Sequence, residues 1–107
     1  MKRERFGGVN RTILNVKIIA RKFTIRGIVQ GVGFRYFAQR SAARHQVGGY
    51  VRNLDDGGVE AFAQGAERLV EAFKHDLAAG PSFSRVDEIE EIVLEPDNRY
   101  STFRIER

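Results

Sequence analysis

Lys22-Phe23-Thr24-Ile25-Arg26-Gly27-Ile28-Val29-Gln30-Gly31-Val32-Gly33-Phe34-Arg35 changes its hydrophobic period partway along, and that change decides the fold. Lys22 to Arg26 alternates, with Phe23 and Ile25 on one face and Lys22, Thr24 and Arg26 on the other, as a half-buried strand requires. From Phe34 the apolar-side positions Phe34, Phe37, Ala38, Ser41, Ala42 and His45 recur at helical spacing, and the helix is predicted to end near Gly48-Gly49. A strand therefore feeds a helix through closely spaced glycines.

Such a turn can cradle an anion. Glycines turn successive backbone N–H groups toward one point, and the first N–H groups of a helix lack partners inside it. Arg35 falls in the first turn, where its planar fork can hold two oxygens of one anion. The spacing also suits a strand-to-helix turn with no ligand, and the loop alone leaves both readings open. It is neither a P-loop, since no Gly-Lys-Ser/Thr follows, nor a dinucleotide fingerprint, since Tyr36 stands at the third glycine position.

Downstream, Gly49 to Leu54 alternates, Asp55-Asp56-Gly57-Gly58 reads as a turn, and Val59 to Ala63 returns, which makes a β-hairpin. Asp55 and Asp56 are accordingly turn formers and not an acid/base pair. A second helix is predicted from about Ala66 to Ala79 on the stripe Leu69, Val70, Phe73 and Leu77, stopped by Gly80-Pro81. Val86 to Leu94 reads as a strand with a bulge, because Ile89, Ile92 and Val93 do not fit one register. Thr102 to Ile105 gives a last short strand with Phe103 and Ile105 inward. The order specifies an α+β, ferredoxin-like βαββαβ sandwich: an antiparallel sheet with an extra C-terminal strand and two helices on one face. In that topology the loop after the first strand faces the far half of the second, which brings Arg35 and Asn53 toward a common site.

The 107 residues fit one folded domain, 21–107, preceded by a basic extension, 1–20, read as partly disordered or as an added edge strand. The apolar positions between Ile13 and Ile19 either supply that edge strand or begin the first strand early. The net charge of +4 resides in the extension, because residues 21–107 carry thirteen basic and thirteen acidic groups. A basic groove across the folded body, as nucleic acid requires, is therefore not expected. With no cysteine, thiolate catalysis and cysteine-zinc sites are excluded, and His45 and His75, thirty positions apart, make no metal pattern. No apolar run reaches the length of a membrane span, so the protein is expected in the cytoplasm.

Taken together, Gly27 to Arg35 and Gly48-Gly49-Tyr50-Val51-Arg52-Asn53-Leu54-Asp55-Asp56-Gly57-Gly58-Val59-Glu60 strongly resemble the acylphosphatase family. Ser84-Arg85-Val86-Asp87 resembles a third family segment, and the likeness extends over about residues 22–107. The resemblance implies hydrolysis of the carboxyl–phosphate bond of acyl phosphates without metal or organic cofactor. It puts the phosphate-binding arginine at Arg35, the water-orienting asparagine at Asn53, and the phosphate loop at Gln30, Gly31, Val32, Gly33 and Phe34. The implied partners are a small acyl phosphate, with phosphate or sulfate able to occupy the site, and neither nucleic acid nor membrane; a monomer is expected. Gly33 also suits a related domain in hydrogenase-maturation carbamoyltransferases. Two other readings of a ferredoxin-like sheet fit less well. An RNA-binding sheet needs a basic, aromatic third strand, whereas this one reads Val59-Glu60-Ala61-Phe62-Ala63, and a metallochaperone needs cysteine.

Overall fold

The computed structural model describes residues 16–107. They form β1 (Ile18–Ile28), α1 (Phe34–His45), β2 (Gly48–Asn53), β3 (Val59–Ala66), α2 (Glu67–Ala79), β4 (Arg85–Leu94) and β5 (Phe103–Ile105). Across the sheet the order is β4-β1-β3-β2-β5. The first four strands pair antiparallel in the expected ferredoxin-like order, and β5 joins β2 in parallel, which makes the sheet mixed. The parallel alignment follows from direction: β4 ends at the end of the sheet where β2 begins, so a chain crossing there enters beside β2 running the same way.

That crossing, residues 95–102, is fastened to the sheet. Gln64 Nε2 donates to the Asp97 carbonyl at 2.7 Å, the Asp97 N–H returns a bond to Gln64 Oε1 at 2.7 Å, and the Gly49 N–H donates to the Thr102 carbonyl at 2.9 Å. A Cβ on Gly48 would lie 2.1 Å from the Tyr100 carbonyl oxygen. Gly48 thus opens β2 and admits the crossing, whereas a Cβ on Gly49 would strike the Phe62 carbonyl of β3. The helix stops earlier, at His45, with the non-glycine Gln46 in the left-handed conformation at φ 57°.

Ile19, Phe23 and Ile25 of β1 point into one cluster with Phe34, Ala38 and Ala42 of α1 and Val70, Phe73 and Leu77 of α2. Phe73 meets Phe23 at 6.4 Å and Phe103 at 5.4 Å between ring centroids, so α2 bridges the first and last strands. Burial of such side chains contributes roughly 1.5–3 kcal/mol each. On the opposite face Tyr50, Phe62 and Tyr100 pack on one another at 5.4–5.8 Å, and the Tyr50 hydroxyl donates to Glu60 Oε2 at 2.6 Å. Burial, then the Glu60 carboxylate, pushes the Tyr50 hydroxyl pKa up.

β1 begins at Ile18, pairing with Ala66, so the early-start alternative holds for Ile18 and Ile19. The rest of the proposed extension, 1–15, lies outside the described residues. The bulge sits elsewhere than the raggedness of β4 suggests. Arg26 faces Glu88 and Gly27 faces Val86, which leaves Asp87 as the extra residue, while Ile89 to Leu94 stay in unbroken register with β1. The pattern looks ragged because Ile92 and Leu94 lie over the helix-free face, opposite Lys22 and Ala20, and Val93 is 70% exposed.

One polar cluster clamps the two helices. Asp76 Oδ2 accepts from the buried Ser41 hydroxyl at 2.7 Å and from Arg44 at 2.6 Å, and His45 Nε2 lies 3.0 Å away. Burial opposes ionisation of Asp76, but the bonds from Ser41, Arg44 and His45 outweigh it and hold its pKa below the ordinary carboxylate value. A depressed folded-state pKa means stabilisation that is present above the unfolded value and lost as pH falls through the folded one. Asp76→Ala is therefore expected to lower stability at pH 7 by about 1–3 kcal/mol. In thermal melts the gap to the unsubstituted protein should begin to narrow at about pH 4, the ordinary carboxylate value, and close as pH falls through the depressed Asp76 value. A gap independent of pH would show that packing, not charge, is what Asp76 contributes.

Candidate active site

β1, β2 and β5 all end at the edge of the sheet opposite the 95–102 crossing, and the residues singled out by sequence gather there. Gly31 and Gly33 have φ of 76° and 78°, with nothing within 4 Å of where a Cβ would stand. What they require is handedness and not room. Gly33 caps α1 with no side-chain hydrogen bond, so the first N–H groups of the helix point out of its N-terminal end without partners inside it. Phe34 is buried and packs on Phe37 at 6.0 Å, which anchors that end.

Arg35 and Asn53 line the same cavity, about 330 Å³ in volume. Gly31, Gly33 and Phe34 form its loop wall, Val29 its floor, and Tyr36, Ile105 and Arg107 complete it. No acidic side chain borders it, and Arg35 is in no ion pair among the described residues. A cavity of that composition favours an anion electrostatically. A larger cavity, about 570 Å³, lies between the C-terminal half of α1 and residues 101–103, away from Arg35 and Asn53.

Two loop residues sit differently from the rest. Val32 packs against the core. The Gln30 side chain turns away from the cavity, and Nε2 donates to the Leu54 carbonyl at 2.7 Å and the Gly58 carbonyl at 2.8 Å. It ties the glycine loop to the β2–β3 turn beside Asn53. Gln30→Ala is expected to cost about 1–3 kcal/mol of stability, from two neutral hydrogen bonds, and to weaken binding of inorganic phosphate severalfold. Calorimetry of unfolding and of phosphate binding reads both; unchanged phosphate affinity would show that the loop holds its shape unaided.

Asp55 and Asp56 lie in the hairpin turn, where the Gly58 N–H donates to Asp56 Oδ1 at 3.0 Å and Arg26 pairs with Asp56 at 2.9 Å. That pairing, first by hydrogen bond, holds the Asp56 carboxyl below its ordinary pKa. His45 belongs to the Asp76 cluster and His75 is exposed. Among the described residues no group of three or more histidines and carboxylates is placed to hold a metal ion. None of their helices is long and apolar enough to cross a membrane.

Sequence reading missed Tyr36, Ile105 and Arg107 as wall residues. Phe103 turns into the core as expected, whereas Ile105, on the same face of β5, is 37% exposed in the cavity wall. The missing information was the neighbour of β5. Val51 pairs with Ile105, and the Glu106 N–H donates to the Val51 carbonyl at 2.8 Å; two residues further along each chain, Asn53 and Arg107 both line the cavity.

The acylphosphatase family model matches residues 21–105. An acylphosphatase of Oceanobacillus iheyensis is 42% identical over 85 residues, 78% of this chain and 93% of its own. One from Nitrobacter winogradskyi is 49% identical over 73 residues, 68% and 74% respectively. The crystal structure of acylphosphatase from Bacillus subtilis superposes with a TM-score of 0.80 at 35% identity, covering 83% of this chain and 99% of that one. Full-length HypF in its phosphate- and nucleotide-bound form matches with a TM-score of 0.76 at 35% identity, over 86% of this chain and 12% of its own.

Proposed function

The chain belongs to the acylphosphatase family and is an enzyme of acyl phosphate hydrolysis; from that premise we propose how its residues divide the work. Arg35 and the N–H groups of the Gln30–Phe34 loop hold the phosphoryl oxygens, and Asn53 orients the attacking water. The observation that supports this division is the shared cavity: Arg35 of α1 and Asn53 of β2 border one space walled by the glycine loop.

Phosphoryl transfer asks mainly for positioning and for fixed donors matched to the charge on the nonbridging oxygens. Water forms a new bond to phosphorus as the bond from phosphorus to the acyl oxygen breaks, and the electron pair leaves with the carboxylate. A carboxylate leaving group has a pKa near 4 and departs without a general acid. The Asn53 amide orients water by hydrogen bonds but is too weak a base to take its proton, which passes to a phosphate oxygen. The products are a carboxylate and inorganic phosphate. No step in this scheme uses a metal or organic cofactor, and the enzyme acts as a cytoplasmic monomer on a small molecule.

Purified full-length chain is expected to release one phosphate per benzoyl phosphate consumed, at a rate unaffected by chelator. Absence of turnover would overturn the assignment, and loss of turnover with chelator would overturn the metal-free mechanism.

A further inference from the structure

Arg107 also lines the Arg35–Asn53 cavity and brings a second arginine to its wall. It arrives by a separate route, from the end of β5, which the Val51–Ile105 pairing sets beside the end of β2. Neighbouring arginines on the sheet are spent on carboxylates: Arg26 on Asp56, Arg52 on Glu60 and Arg104 on Glu106. Arg107, like Arg35, is in no ion pair among the described residues.

We propose that Arg107 is a second phosphoryl-binding residue, so that two guanidinia meet the two negative charges of the substrate's phosphoryl group. The inference rests on the hydrolase reading and deepens it. An acyl phosphate is a stronger acid than a phosphate monoester, whose second pKa is about 6, so its phosphoryl group is doubly ionised at pH 7, and a single guanidinium offsets only one of those charges. Position decides which part of the substrate Arg107 reaches. It follows Ile105, the partner of Val51, and so comes to the cavity from the side of Asn53, which is the water's side if Asn53 orients the water, while in an in-line displacement the acyl group leaves from the opposite side. Arg107 thus addresses the nonbridging oxygens shared by every acyl phosphate and not the acyl chain.

The test uses full-length protein, Arg107→Gln and Arg107→Lys, with benzoyl and acetyl phosphate as substrates and inorganic phosphate as competitive inhibitor. Arg107→Gln is expected to raise KM and the inhibition constant of phosphate by about tenfold, by the same factor for both substrates, with kcat changed less. Arg107→Lys should recover part of the loss, because charge is kept and the fork is not. An unchanged phosphate inhibition constant would overturn the proposal. So would a loss that differs between benzoyl and acetyl phosphate, which would put Arg107 on the acyl chain. Calorimetric titration of inorganic phosphate into the same proteins separates the two levels of inference. Without turnover by the unsubstituted chain the hydrolase reading fails, while tenfold weaker phosphate binding by Arg107→Gln would still uphold the second guanidinium and equal binding would refute it.

Discussion

Arg35→Ala is expected to remove phosphate binding and turnover together, with kcat/KM on benzoyl phosphate lowered about a thousandfold. The reason is geometric before it is electrostatic. Arg35 stands in the first turn of a helix whose start is anchored by the buried Phe34, so its guanidinium is delivered to the cavity from a rigid element. No acidic side chain in that wall competes for it. The loop N–H groups contribute partial charges, and Arg35 adds a full charge with two parallel donors. Arg35→Lys should recover little, since a point charge on a flexible stem cannot bridge two oxygens. Arg35 is half-buried at the surface end of α1, so melting temperature serves as the control for folding. Phosphate inhibition that survives in Arg35→Ala would show that the loop amides bind the anion alone.

Asn53→Ala should separate binding from chemistry. Asn53 is the last residue of β2, held in register with Val59 of β3 and flanked by the turn that Gln30 secures, so its amide is positioned by backbone pairing on one side and by the loop on the other. If it orients water and leaves the phosphoryl group to Arg35 and the loop, its loss lowers kcat by about a hundredfold or more and changes KM little. The phosphate inhibition constant should then stay where it was. Turnover unchanged in Asn53→Ala would remove this residue from the mechanism, and a rise in KM matching the fall in kcat would make it a phosphate ligand.

Much of this could be read from the chain because the information is local. The change of period at Phe34, the Asp56-Gly57 turn and the Val70-Phe73-Leu77 stripe each specify an element within a few residues, and the elements in order specify the sheet. Arg35 and Asn53 came together on topology alone. What stayed hidden depends on partners distant in sequence. Gly48 and Gly49 look like a helix stop until the chain segments that need their missing side chains are known, the crossing at Tyr100 for Gly48 and the Phe62 carbonyl of β3 for Gly49. The Gln30 side chain gives no sign of its own role until its amide is seen bonded to Leu54 and Gly58, twenty-four and twenty-eight residues away. The bulge falls at Asp87 and not among Ile89, Ile92 and Val93, because strand register is a property of two strands. Arg107 escaped notice for the same reason: β5 has three residues, too few to announce which edge of the sheet it joins.

Those three residues give the 95–102 crossing an importance beyond topology. β5 forms one wall of the cavity, yet what delivers it to β2 is a span of chain fastened at the far end of the sheet by Gln64. A protease that nicked this span would leave Arg35 and Asn53 on their own elements while freeing the short strand beside them to peel away. The vulnerable point of the enzyme would then lie a full strand's length from its chemistry.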